Sequence, residues 1–202
     1  KAVFRERKVK AIDYFILTHT DSDHVGNAVN VAENYSVKKI FIPEVFDETL
    51  FPAFKRAVAA LKNRGAEAEI SDMYDEIRGD DYFVLFLSPQ PSDFSYSFYD
   101  DLNSSSAPSE EAINNVSPVI YFECFGTRFL FTGDAEREPQ KLVFENARLG
   151  LYGEKVKLKE IDFFKVPHHG ASDAVYKEFW SYINCKNAVI SVGGDKVYPH
   201  PS

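Results

Sequence analysis

Cysteine is nearly absent: Cys124 and Cys185 are the only two in 202 residues. Two thiols so far apart cannot form a zinc knuckle. Each lies in an apolar stretch, which predicts buried free thiols rather than a disulfide. Long hydrophobic runs are also missing. No stretch approaches the ~20 apolar residues that a bilayer span requires, so no membrane segment is expected. The start carries no signal-peptide pattern, and the expectation is a soluble protein with the cytoplasm the favoured compartment. The chain opens at Lys1 with no Met, so a trimmed piece of something longer stays open. Basic charge is in deficit: 23 Lys and Arg against 31 Asp and Glu give a formal net charge of −8. That argues against loose, charge-driven attraction to nucleic acid, but not against a nuclease whose metal ions meet the phosphate. No internal repeat is present.

What is there fits one globular domain spanning 1–202, since apolar residues make up 45% and charged residues 27%, both ordinary proportions. With 18 Phe and 11 Tyr, strands and a filled core are favoured. Apolar runs predict strands at 13–18, 39–42, 82–87, 119–124, 128–132, 161–166 and 188–192. Helical periodicity appears at 27–35, 48–63, 138–149 and 174–183. In the second of these Leu50, Phe51, Phe54, Val58 and Leu61 share one stripe and Gly65 follows as a stop. Gly126-Thr127 predicts a hairpin. Residues 88–115 form a break, whose turn-rich stretch 103–109 reads as a mobile loop and whose 100–115 portion as a whole is expected to be mobile and to border the site. Mixed strands, hairpins and helices imply a layered α/β architecture.

Four segments carry the chemistry. In Thr18-His19-Thr20-Asp21-Ser22-Asp23-His24 two imidazoles and two carboxylates follow an apolar strand. A loop at a strand end can aim several side chains at one point, and these donors suit Zn²⁺ or, being rich in oxygen, Mn²⁺. The alternative is a polar turn in which Asp23 caps the next helix. Thr132-Gly133-Asp134 again sets a carboxylate at a strand end, with Gly133 permitting an unusual backbone angle; an ordinary turn is the competing reading. Val166-Pro167-His168-His169-Gly170 and Tyr198-Pro199-His200 complete the set. All five histidines of the chain, at 19, 24, 168, 169 and 200, lie in these segments. Convergent strand-end donors are what a metal site needs.

Together these motifs resemble the metallo-β-lactamase superfamily. His19-x-Asp21-x-Asp23-His24 is similar to its His-x-His-x-Asp-His signature with Asp in place of the second His. That variant, with Thr132-Gly133-Asp134-Ala135, Val166-Pro167-His168-His169-Gly170, Ser191-Val192-Gly193 and His200-Pro201-Ser202, resembles the hydrolase domain of ComEC-type competence proteins and their soluble relatives. The resemblance implies an αββα sandwich, lacking its first strands in this chain and incomplete at both ends, that holds two divalent ions, Zn or Mn. It implies that His19 and Asp21 hold one ion, Asp23 and His24 the other, that Asp134 bridges both, and that His169 completes the second site. His168 would contact substrate or orient its neighbour, and His200 would be a ligand or a proton donor; both stand as catalytic candidates. The middle His of the superfamily is lacking, and Asn114-Asn115-Val116-Ser117 is similar to the Asn/Ser segment that competence-type relatives carry there.

The implied chemistry is hydrolysis by a metal-bound hydroxide, since two ions ~3.5–4 Å apart lower the pKa of a shared water towards ~7. A phosphodiester, in nucleic acid or a small molecule, is the expected substrate. The alternatives are an acyl or lactone substrate, and a metal-poor scaffold that binds a partner without catalysis.

Overall fold

Parallel strands cannot be joined by a tight turn, so a chain that alternates apolar strands with amphipathic helices must cross over between them. That is how the chain begins in the computed structural model, which describes residues 2–45, 47–90, 108–193 and 201. These residues fall in two compact units, one ending at Ser71 and the other starting at Asp72.

The first unit is a three-stranded parallel sheet in the order β1 (Ala11–Ile16), β2 (Ser36–Ile42), β3 (Glu67–Ile70). A short helix α1 (Ala2–Glu6) precedes it. The single-turn α2 (Ser22–Val25) and α3 (Ala28–Asn34) connect β1 to β2, and α4 (Pro52–Asn63) connects β2 to β3. The core gathers Leu17, Val25, Ala28, Ala32, Val37, Ile40, Phe54, Ala57, Val58 and Leu61. Each large apolar side chain buried there contributes ~1.5–3 kcal/mol, which is what holds α4 to its sheet. The helix predicted over 48–63 is divided: residues 48–50 form a 3-10 turn, and the α-helix starts at Pro52. Proline has no N–H to continue a helix and suits a first turn. Leu50 is exposed and off the core stripe.

The second unit is a six-stranded sheet in the order β4 (Glu76–Arg78), β5 (Tyr82–Phe86), β6 (Ile120–Cys124), β7 (Thr127–Phe131), β8 (Ile161–Lys165), β9 (Cys185–Val189). Pairing is antiparallel from β4 to β7 and parallel from β7 to β9. The β6–β7 hairpin turns on Phe125 and Gly126, both at positive φ (48° and 75°), one residue earlier than the sequence suggests. The parallel half needs crossovers, supplied by α6 (Arg137–Arg148) and α7 (Lys177–Tyr182). Its core contains Leu87, Val119, Tyr121, Leu130, Val143, Ile161, Phe164 and Phe179. Ahead of β6 sits α5 (Glu110–Asn115), capped by Ser109, whose hydroxyl accepts from Ala112 N at 3.1 Å. The stretch read as a mobile loop is thus helical at its C-terminal end; residues 91–107 lie outside the described residues. Cys124 and Cys185 are free thiols, partly exposed rather than buried. The mixed α/β class with two sheets is the one expected, and among the described residues no helix is long and apolar enough to cross a membrane.

Candidate functional site

In sheets of parallel strands, function gathers at the carboxyl ends of the strands. The first candidate segment sits there on β1. Leu17 extends the strand path by donating from N to Phe41 O at 2.9 Å. The chain then turns into α2, closed by His24 N and Val25 N donating to Asp21 O at 3.0 and 2.9 Å. His19, Asp21, Asp23 and His24 therefore hang on one strand-to-helix turn. The capping alternative is not realised. Asp21 holds the N-cap position of α2 with no side-chain capping bond, and the N-cap of α3 is Asn27.

Thr18 organises this turn. Its hydroxyl lies 3.1 Å from His19 Nδ1 and 3.2 Å from His24 Nδ1, and the two rings are 4.1 Å apart between centroids. A hydroxyl oxygen can accept from two N–H groups at once. With both Nδ1 atoms turned to Thr18, the Nε2 atoms face carboxylates: His19 Nε2 is 3.7 Å from Asp21 Oδ2, and His24 Nε2 is 3.5 Å from Asp23 Oδ2. His19 is fully buried, while the Asp21 and Asp23 side chains are open to solvent. This is a nitrogen and oxygen donor cluster of the type that divalent transition metals take.

In the second unit the Thr132–Asp134 and Val166–His169 segments leave β7 and β8 at their carboxyl ends. Those strands are parallel neighbours, with Leu130 opposite Phe164, so the two segments emerge on one edge. Gly133 has φ 50°, as its freedom suggested. Thr132 Oγ1 donates to Lys165 O at 2.7 Å, and Lys165 Nζ donates to Gly133 O at 2.5 Å. Asp134 is buried, with Oδ1 3.3 Å from Lys165 Nζ and Oδ2 3.1 Å from His169 Nε2. His169 Nδ1 lies 2.6 Å from Ser191 O; since a carbonyl only accepts, Nδ1 carries a hydrogen, and Nε2 is the ring atom turned towards Asp134. That pairing of carbonyl, imidazole and carboxylate is typical of a metal-ligating histidine.

His168 faces elsewhere. Its Nδ1 lies 3.3 Å from Glu136 Oε1, and this carboxylate holds the imidazole above its usual pKa against the opposing effect of partial burial. His168 and His169 both adopt left-handed backbone, with φ 42° and 51°, which costs a non-glycine residue of order 1–2 kcal/mol. Gly170 continues at φ 85°, and a Cβ there would meet the Cβ of Pro201 at 2.9 Å. His200 lies outside the described residues.

The Asn/Ser segment that the resemblance singled out lies on this edge, together with Glu136 and Gln140, which sequence reasoning missed. Asn114 Nδ2 donates to Glu136 Oε1 at 2.8 Å, Glu136 N donates to Asn115 Oδ1 at 3.0 Å, and Asp134 N donates to Ser117 Oγ at 3.2 Å. Within this unit the Asn/Ser segment positions the turn that carries Asp134. Gln140, wholly buried, ties the same turn to the rest of the unit by donating to Ala135 O and Ala174 O at 2.9 and 2.6 Å.

The profile of the metallo-beta-lactamase superfamily matches residues 2–194. The chain is 29% identical to ComE operon protein 3 of Bacillus subtilis (strain 168) over 196 residues, covering 96% of this chain and 21% of that protein. The chain thus spans about a fifth of that relative's length. It is 42% identical over 40 residues to a metal-dependent hydrolase of Koribacter versatilis (strain Ellin345), covering 20% of this chain and 17% of the other. Among solved structures it is similar to the diiron β-hydroxylase CmlA of Streptomyces venezuelae, with TM-score 0.47, 12% identity, and 78% of this chain and 25% of the other covered. It is also similar to Zn²⁺-bound PqqB of Methylobacterium extorquens, with TM-score 0.45, 14% identity, and 77% and 46% covered.

Proposed function

Because the chain belongs to the metallo-β-lactamase superfamily, we propose that it is a metal-dependent hydrolase acting on a phosphodiester, in nucleic acid or in a small molecule. The observation that carries this reading is the orientation of the histidines. Thr18 takes the Nδ1 atoms of His19 and His24, and Ser191 O takes that of His169, so each Nε2 is turned to a carboxylate. The donor set fits divalent ions: His19, Asp21, Asp23, His24, Asp134 and His169 are the ligands of this reading, with Asp134 shared between two ions, Zn or Mn. Bound there, the ions would lower the pKa of a coordinated water and polarise the substrate oxygen under attack.

The chain's own groups supply the rest. Ser117 and the Asn114–Glu136–Asn115 bonds fix the Asp134 turn. His168, held by Glu136, is suited to keep a proton near the leaving group. His200 is the other proton-donor candidate. Two features favour Mn²⁺ at least as much as Zn²⁺: Asp21 in place of a histidine, and the lack of a middle histidine, since oxygen-rich sets suit the harder ion.

The test is an assay of wild type, Asp134→Ala and His200→Ala on a generic phosphodiester, single-stranded DNA and a lactone, with and without chelator. Phosphodiester cleavage is expected to need added metal and to vanish in Asp134→Ala. His200→Ala is expected to lose about 10²–10⁴-fold if it donates a proton. Activity surviving both chelator and Asp134→Ala would overturn the metal mechanism. Turnover of the lactone alone would move the substrate class to acyl compounds, and a protein that binds no metal would be a scaffold.

A further inference from the structure

We infer that Lys165 is a positioning residue for the metal centre, clamping Oδ1 of Asp134 so that the carboxylate presents Oδ2 to the ions. The inference rests on the reading of Asp134 as a metal ligand and goes beyond it by assigning a role to a residue outside the ligand set.

Lys165 is the last residue of β8. A strand-end lysine ordinarily runs its aliphatic stem along the surface and puts its ammonium in water. Here the side chain is only 18% exposed and turns inward onto a carboxylate that is 4% exposed. Drawing an ammonium out of water is costly unless it is paired and hydrogen-bonded. The compensation is local and specific. Nζ donates to Gly133 O at 2.5 Å and lies 3.3 Å from Asp134 Oδ1. The main chain of Lys165 is tied to the same turn, because its carbonyl receives the Thr132 hydroxyl at 2.7 Å. One residue thus grips the Thr132–Asp134 turn from both its backbone and its side chain.

The two oxygens of Asp134 are consequently distinguished. Oδ1 faces the ammonium, and Oδ2 faces His169 Nε2 at 3.1 Å. A carboxylate free to rotate could offer either oxygen, or both, to a cation. One whose Oδ1 is held by a fixed positive charge offers chiefly Oδ2, on the side of the histidine. The ammonium also offsets part of the negative charge that Asp134 brings to the site. Outer partners of this kind set metal affinity by about 10–100-fold.

The experiment measures metal binding, not turnover, on the 202-residue chain. Mn²⁺ and Zn²⁺ affinities are obtained by chelator competition for wild type, Lys165→Met and Lys165→Arg. The electron paramagnetic resonance spectrum of the Mn²⁺-loaded proteins is recorded beside them. Lys165→Met is expected to fold, to lose about 10–100-fold in affinity for at least one metal equivalent, and to replace the signal of a coupled Mn²⁺ pair by that of isolated ions. Lys165→Arg, which keeps the charge, is expected to recover most of the affinity. Should Lys165→Met not fold, Lys165→Gln keeps a donor for Gly133 O without the charge and carries the same comparison. A neutral variant that binds metal as tightly as wild type, with an unchanged coupled signal, would overturn the assignment and leave Lys165 as a structural ion pair. A wild-type chain that binds neither metal would instead overturn the underlying reading, and this inference with it.

Discussion

Thr18 carries no charge and ligates nothing, yet two of the proposed ligands lean on it, and its removal is the sharpest test available at the scale of one residue. Thr18→Val keeps the shape and deletes the hydroxyl that meets His19 Nδ1 and His24 Nδ1. Both imidazoles then lose the partner that fixes their orientation. Metal affinity is expected to fall about 10–100-fold, as for other outer-sphere changes, while Thr18→Ser stays near wild type. Chelator competition measures it, and equal affinity in Thr18→Val would show that the rings are held by other contacts. The histidines and aspartates proposed as ligands could be named from the sequence, because their chemistry is carried by residue type and by their position after apolar strands. Thr18, Glu136 and Lys165 were not. Their roles arise from contacts such as Glu136 with Asn114, 22 positions apart, which no local pattern encodes. The signal that could have found them is proximity alone: Glu136 lies two residues after Asp134, and Lys165 two before Pro167.

At the scale of elements, the long periodic segments were read well and the short ones poorly. The helix over 137–148 and the strands β5 to β8 follow from apolar spacing to within a residue or two. β3 escaped notice because all four of its residues are exposed, so burial imposes no alternation on it. α5 escaped because its cap, Ser109, sits in a run of serines that resembles a loop. Strand pairing in the second unit has an electrostatic pin that can be tested. Asp162 on β8 accepts from Lys186 Nζ on β9 at 2.6 Å and from Arg128 N on β7 at 2.9 Å. The Lys186 ammonium first, and the Arg128 amide second, hold its carboxyl below the usual aspartate pKa. A folded-state pKa that is depressed means stability present above the unfolded value, ~3.9, and lost as pH falls through the folded one. Asp162→Asn is therefore expected to lower the melting temperature at pH 7. The gap to wild type should close as the pH is brought down through the folded value and Asp162 protonates. Melting curves between pH 7 and pH 2.5 would reveal this, and a gap independent of pH would refute it.

For the whole molecule, charge constrains what substrate binding can rely on. With a formal net charge of −8, a polyanion gains little from the protein's general field and must be held by local contacts. Single-stranded DNA is expected to show no binding tighter than about 100 μM at physiological salt without divalent ions, and to bind measurably once Mn²⁺ is present. Fluorescence anisotropy of a labelled oligonucleotide distinguishes these outcomes; tight binding in chelator would mean a basic surface that the net charge conceals. The α/β class followed from the alternation of periods along the chain, whereas the assignment of strands to one sheet of three and another of six did not, because apolar spacing records burial without naming the partner. That division has a practical side. Trp180 is the sole tryptophan, and its indole is lodged in the six-stranded unit, donating to Gln140 Oε1 at 2.8 Å and set edge-on to Phe164. Intrinsic fluorescence excited at the red edge is thereby the property of one half of the chain: a denaturation curve read from it follows that half and is blind to the other, whose chromophores, Tyr14 and Tyr35 among them, have to be watched at shorter wavelengths.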